Sequence, residues 1–254
     1  MFSLFKSQPV LDEASALWIF EVFAWSLRQF NADVFYQHSI LVTPSNKHFP
    51  GREDSVQGMA ELIFANVQRH AGMSHWSFKV TSQHNTMQLD PPKVVLNGAL
   101  RGVDLPVTDD AHHIIIPYDR NLVSNPEALI ASFAAGLSHY LCSVSNEPPP
   151  GGEENWLYLI EVVAVFLGFG VLFCNSALTH RVRSCGSCAP RANRASHLSQ
   201  FDLTYALAMF CVLKNIPNKE VLGDLKSSLR GHFKKARKDI QKRGEQLSEL
   251  RGIL

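Results

Sequence analysis

Apolar side chains recur at helical spacing near the start of the chain. Ala16, Phe20, Phe23, Leu27 and Phe30 fall four, three, four and three residues apart and share one face of a helix over 12–30. Asp12 and Glu13 stand at its start, where the positive end of the helix dipole favours acids. Val56, Met59, Ala60, Ile63 and Val67 repeat the pattern over 54–70. Asp54 is the expected N-cap there, with Gln57 three residues on and Gly72 as the stop. Between these helices, 39–43 reads as a short strand closed by Pro44. From 75 to 81 the period changes to two: Trp76, Phe78 and Val80 alternate with Ser77, Lys79 and Thr81. That is a half-buried strand, and clean alternation favours antiparallel pairing. Segments 93–97 and 113–116 read as two more strands, with loops marked by Pro91, Pro92, Gly102, Pro106 and the Asp109-Asp110 pair.

Beyond Asn125 the pattern is helical throughout. An apolar segment over 126–142 is followed by Glu147-Pro148-Pro149-Pro150-Gly151-Gly152, which cannot continue a helix. An almost wholly apolar helix over 155–175 follows, then a flexible, polar, cysteine-containing loop over 180–197. Ser199, with Asp202 three residues on, caps a helix whose core face is Leu203, Ala206, Leu207 and Phe210. A last long helix starts near Asn218, packs through Leu222, Leu225, Leu229 and Phe233, and then turns strongly basic. Mixed helices and strands occupy 1–124 and helices alone 125–246. This segregation predicts an α+β fold in a single domain over 1–254: a small, mostly antiparallel sheet packed on a helical bundle.

Composition narrows the function classes. A chain of 254 residues with 46% hydrophobic and 19% charged residues buries a core without disulfide staples. A net charge of +1 gives no reason to expect nucleic acid. The basic residues between Arg230 and Arg243 read as a solvated helix end, with only Phe233 to stack on a base. Of the five cysteines, Cys142, Cys174 and Cys211 lie in apolar helical contexts, which favours buried thiols in the cytoplasm. The first fifteen residues carry only Lys6 as a base and no long apolar run, so they do not read as a secretory signal. The stretch 157–178 is long enough to cross a bilayer, and a single-pass membrane protein is the alternative localisation. Glu161 inside it argues for a core helix, since a lipid-facing carboxylate costs ~2.5–3.5 kcal/mol or more.

The candidate chemistry sits on the two apolar helices. Ala128, Ser132, Ala135 and His139 share one face, and its small residues let another helix come close. His139 is the one side chain on that face with proton or metal chemistry. Glu161 shares a face with Gly168 and Asn175, seven and fourteen residues on. A buried carboxylate needs a partner, and His139 is the nearest candidate. A second candidate is the run His180-x4-Cys185-x2-Cys188-x8-His197, where Cys185 and Cys188 form a zinc half-site.

The segments LIASFAAGLSHYLC and LIEVVAVFLGFGVLFCNSAL resemble an uncharacterised group of bacterial proteins that look like zinc metallopeptidases of the gluzincin type. The stretches 49–62 and 198–208 resemble the same group. In it the first helix carries HExxH, where two histidines hold zinc and the glutamate is the general base, and a later helix gives the third ligand. The resemblance places His139 at the second histidine and Glu161 at the third ligand. Ala135 stands where the first histidine would be and Gly136 where the base would be, so the motif is degenerate. It therefore implies a non-catalytic binding or regulatory role with no cofactor. The alternative is a zinc-dependent hydrolase whose site is completed by His112, His113 or Cys142. A membrane-attached protein held by 157–178 is the third reading.

Overall fold

Residues 9–82, 98–103, 105, 113–177 and 196–253 are described in the computed structural model. Helix α1 (Glu13–Gln29) opens on Asp12, whose carboxylate accepts from the Ser15 amide at 2.9 Å. Helix α2 (Val56–Ala71) is capped by Ser55 rather than Asp54, with the Ser55 hydroxyl accepting from the Gly58 amide. Gln57 makes no capping box. It donates to the Val80 carbonyl and accepts from the Tyr118 hydroxyl, so it ties the helix to both strands below. Gly72, at φ 72°, ends α2 as its spacing implies.

Strands β1 (Phe78–Ser82) and β2 (Ile114–Tyr118) pair in parallel, Phe78 opposite Ile114 and Ser82 opposite Tyr118. The antiparallel expectation is corrected here. Alternation reports that one face is buried and says nothing of the partner's direction, and the segment between these strands is long enough for a crossover. The strand expected at 39–43 does not form. That segment has no regular secondary structure, and its Val42 amide donates to the Gly168 carbonyl at 3.0 Å rather than to a neighbouring strand. The strand expected at 93–97 lies outside the described residues.

Helix α3 (Pro126–Ser143) starts on Asn125, with proline in its first turn. It packs on α2 and the sheet through Phe64 against Phe133, Tyr118 against Phe133 and Phe78 against Tyr140. The apolar segment that follows is not one smooth helix. It comprises α4 (Trp156–Ala164), a π-turn over Val165–Phe169 and α5 (Gly170–Ser176). The break is at Gly168, where φ is 106°. Around it Phe166 stacks on Phe35 at 4.6 Å and meets Phe23 edge-on. Glu153–Ser176 is long and apolar enough to cross a membrane, and 89% of its most apolar window is buried inside the protein.

Helix α6 (Gln200–Leu213) has the expected capping box between Ser199 and Asp202. The long final helix is three pieces: α7 (Asn218–Leu222), α8 (Ser227–Lys242) and α9 (Gly244–Arg251). Asn175 holds the first break open by bonding the Asp224 carbonyl and the Lys226 amide. Arg230 takes up the Leu225 carbonyl. Leu225, Leu229 and Phe233 are buried as their spacing predicts, joined by Val221 in place of Leu222. Lys234, Lys235, Lys238 and Lys242 form the exposed face of α8. Arg243 fastens the C-terminal end to α1 through two bonds to Glu13, at 2.7 and 2.8 Å.

Candidate functional site

The small face of α3 opens a cavity of about 1070 Å³ beside α4. Ser132, Ala135, Gly136, His139 and Cys142 line it from α3. Trp156, Leu157, Ile160 and Glu161 line it from α4, Ile116 and Pro117 from β2, and Glu147 to Pro149 from the loop between the helices. Helix α3 packs on α4 and α5 as its small face predicts, and Ser132, Ala135 and Gly136 leave empty volume beside that contact. Nothing in the packing demands glycine at 136. A Cβ there would meet Ile116 at 3.6 Å, an ordinary contact, while the glycine costs about 1 kcal/mol relative to alanine in a helix interior.

His139 is 5% exposed. Its Nδ1 accepts a hydrogen bond from the Trp156 indole N–H at 3.2 Å, with the two rings edge to face. Its Nε2 is buried and has no hydrogen-bond partner among the described residues. Burial pushes its pKa below the ordinary histidine value, so the ring is neutral at pH 7. Trp156 was not legible as a partner. The signal was available: an indole N–H needs an acceptor when buried, and Trp156 follows the proline–glycine loop at the mouth of the helix pair.

Glu161, 2% exposed, shares the cavity wall with His139. Its oxygens accept from the Ser196 hydroxyl at 3.0 and 3.2 Å, the His197 amide at 3.2 Å and the Leu198 amide at 2.9 Å. The carboxylate therefore anchors the turn that leads into α6, one residue before its Ser199 cap. Ser196 is a second residue that sequence reasoning missed.

The other candidates divide. Cys142 lines the cavity, but complete burial pushes its thiol far above the ordinary range and leaves it protonated. His197 lies at the cavity with an exposed ring near Tyr158. His113 stands apart at the start of β2, bonded to Ser77 at 2.7 Å. His112, His180, Cys185 and Cys188 lie outside the described residues. Among the described residues, no three histidine, cysteine, aspartate or glutamate side chains are grouped to hold a metal. The lining carries carboxylates at Glu147, Glu153 and Glu161 and, among the described residues, no lysine or arginine. The Glu147 bridge to Arg28 is half exposed on both sides and contributes little.

Burial also lowers the pKa of His48, His70, His75 and His232. With His139, these rings bind protons less readily folded than unfolded. Their contribution to stability is fully present above the unfolded value of about 6.5 and is lost as the pH falls below it. Glu127, whose carboxyl is raised by burial, acts in the opposite direction. The denaturation midpoint is therefore expected to drop between pH 7.5 and pH 5.5, and a flat urea profile over that range contradicts the burial of these rings.

No family model, no curated protein and no solved structure matches the chain.

Proposed function

We propose that this chain is a non-catalytic binding or regulatory protein built on a metallopeptidase-like helix pair. The observation that carries the reading is the cavity itself. It lies where the HExxH helix would present its motif, and Ala135 and Gly136 on its wall supply neither ligand nor base. The lining favours a small molecule or peptide segment with an apolar body and a neutral or positive polar end. The buried fit of α4 and α5 supports a core role for the apolar segment, in a cytoplasmic protein.

The test uses three probes of similar size, N-butylacetamide, butylammonium and pentanoate, followed through the NMR signal of the Trp156 indole. The amide and the amine are expected to shift it, and pentanoate to bind about tenfold more weakly because of the surrounding carboxylates. Ala135→Phe, which puts a ring into the cavity one helical turn from His139, is expected to weaken the shifts. Shifts left unchanged by Ala135→Phe, or peptide hydrolysis that His139→Ala removes, overturn the reading.

A further inference from the structure

The zinc that the metallopeptidase resemblance implies does not fit these residues as they are bonded. The indole N–H of Trp156 is a donor with no acceptor capacity in the ring plane. His139 Nδ1 can accept from it at 3.2 Å only with its lone pair bare. A neutral imidazole has one proton, so that proton sits on Nε2. A histidine that holds zinc through Nε2 needs the opposite arrangement, with the proton on Nδ1 and an acceptor beyond it. Here the Nδ1 proton would point at the indole proton, and the indole blocks coordination through Nδ1 itself. Glu161, at the third-ligand position, has its oxygens committed to Ser196, His197 and Leu198.

We infer that Trp156 locks His139 in the tautomer that carries its proton on Nε2, which makes the ring an N–H donor beside the cavity and excludes zinc. The lack of a ligand atom at Ala135 and the presence of an indole at 156 are separate features, and each weighs against a metal site. The Nε2–H is buried, so an acceptor in the cavity reaches it only when the wall shifts, and the carboxylates of Glu147, Glu153 and Glu161 on the same lining favour an uncharged oxygen over an anion. The inference deepens the binding reading above, and the two can fail separately: the tautomer can be right in a cavity that binds none of the probes.

Ring nitrogens in nitrogen-15-labelled full-length protein report the tautomer directly by long-range NMR at pH 7.5. The expected result is a protonated Nε2 and a bare Nδ1 at His139, unchanged by equimolar zinc. Trp156→Phe removes the donor and is expected to raise the ratio of Nδ1–H to Nε2–H about tenfold, the scale of one lost hydrogen bond. An Nδ1–H tautomer in the unmodified chain, a His139 signal moved by zinc, or an unchanged ratio in a folded Trp156→Phe variant overturns the inference. The first two measurements need no variant, so a Trp156→Phe chain that fails to fold leaves the test intact.

Discussion

Gly168→Ala is expected to cost the chain most or all of its stability, well over ~4 kcal/mol, for the addition of one methyl group. The residue sits at φ 106°, a conformation that L side chains rarely adopt. A Cβ there would lie 2.1 Å from the Ile40 carbonyl oxygen, far inside contact distance. The neighbouring strand-like segment cannot simply retreat, because the Val42 amide is bonded to the Gly168 carbonyl at 3.0 Å. Nor can the helix yield, because Phe166 and Phe169 on either side are fully buried. Urea denaturation of the full chain reads the effect. A folded Gly168→Ala protein within 1 kcal/mol of the parent contradicts the close approach.

The second large loss is expected from Arg101→Met, about 3–5 kcal/mol. Arg101 is only 1% exposed. Its Nε donates to the Ala71 carbonyl at 2.8 Å, Nη1 to the Phe30 carbonyl at 3.4 Å and Nη2 to the Ser39 hydroxyl at 3.0 Å. Ala71 ends α2 and Phe30 caps α1, so the guanidinium sits at two negative helix ends and serves carbonyls with no helical partner. It also faces the Phe166 ring at 5.6 Å, beside the Gly168 break. Methionine preserves much of the volume and none of the donors. Arg101→Lys keeps a charge but cannot span three acceptors that lie in different directions, so it is expected to recover less than half of the loss. A midpoint for Arg101→Met equal to that of the parent contradicts this account.

These two residues also mark where sequence reading stops. Helix faces were legible because 3.6-residue periodicity is written in the chain: Ala16, Phe20, Phe23, Leu27 and Phe30 are all buried as their spacing implies. His139 and Glu161 were legible as polar groups that need partners, and they line one cavity, but the expected bond between them does not form: His139 pairs with Trp156, and Glu161 with Ser196, His197 and Leu198. Their bonding was not legible. Trp156, Ser196 and the amides of 197 and 198 come from segments that periodicity does not constrain. The direction of β2, the break at Gly168 and the burial of Arg101 depend on what lies across the fold. Glycine inside an apolar run reads equally as a helix residue or as a break. Arginine in a loop reads as exposed until two helix ends are found beside it.

Zinc titration of the full-length chain by calorimetry at pH 7.5, with His139→Ala as the paired variant, tests the central claim most directly. The pairing matters because the zinc half-site proposed at Cys185 and Cys188 would bind metal independently of His139. The prediction is that the two proteins give the same isotherm, whatever the cysteines contribute. A site of micromolar affinity or tighter that His139→Ala removes would show that the helix pair still holds metal, and would contradict the account.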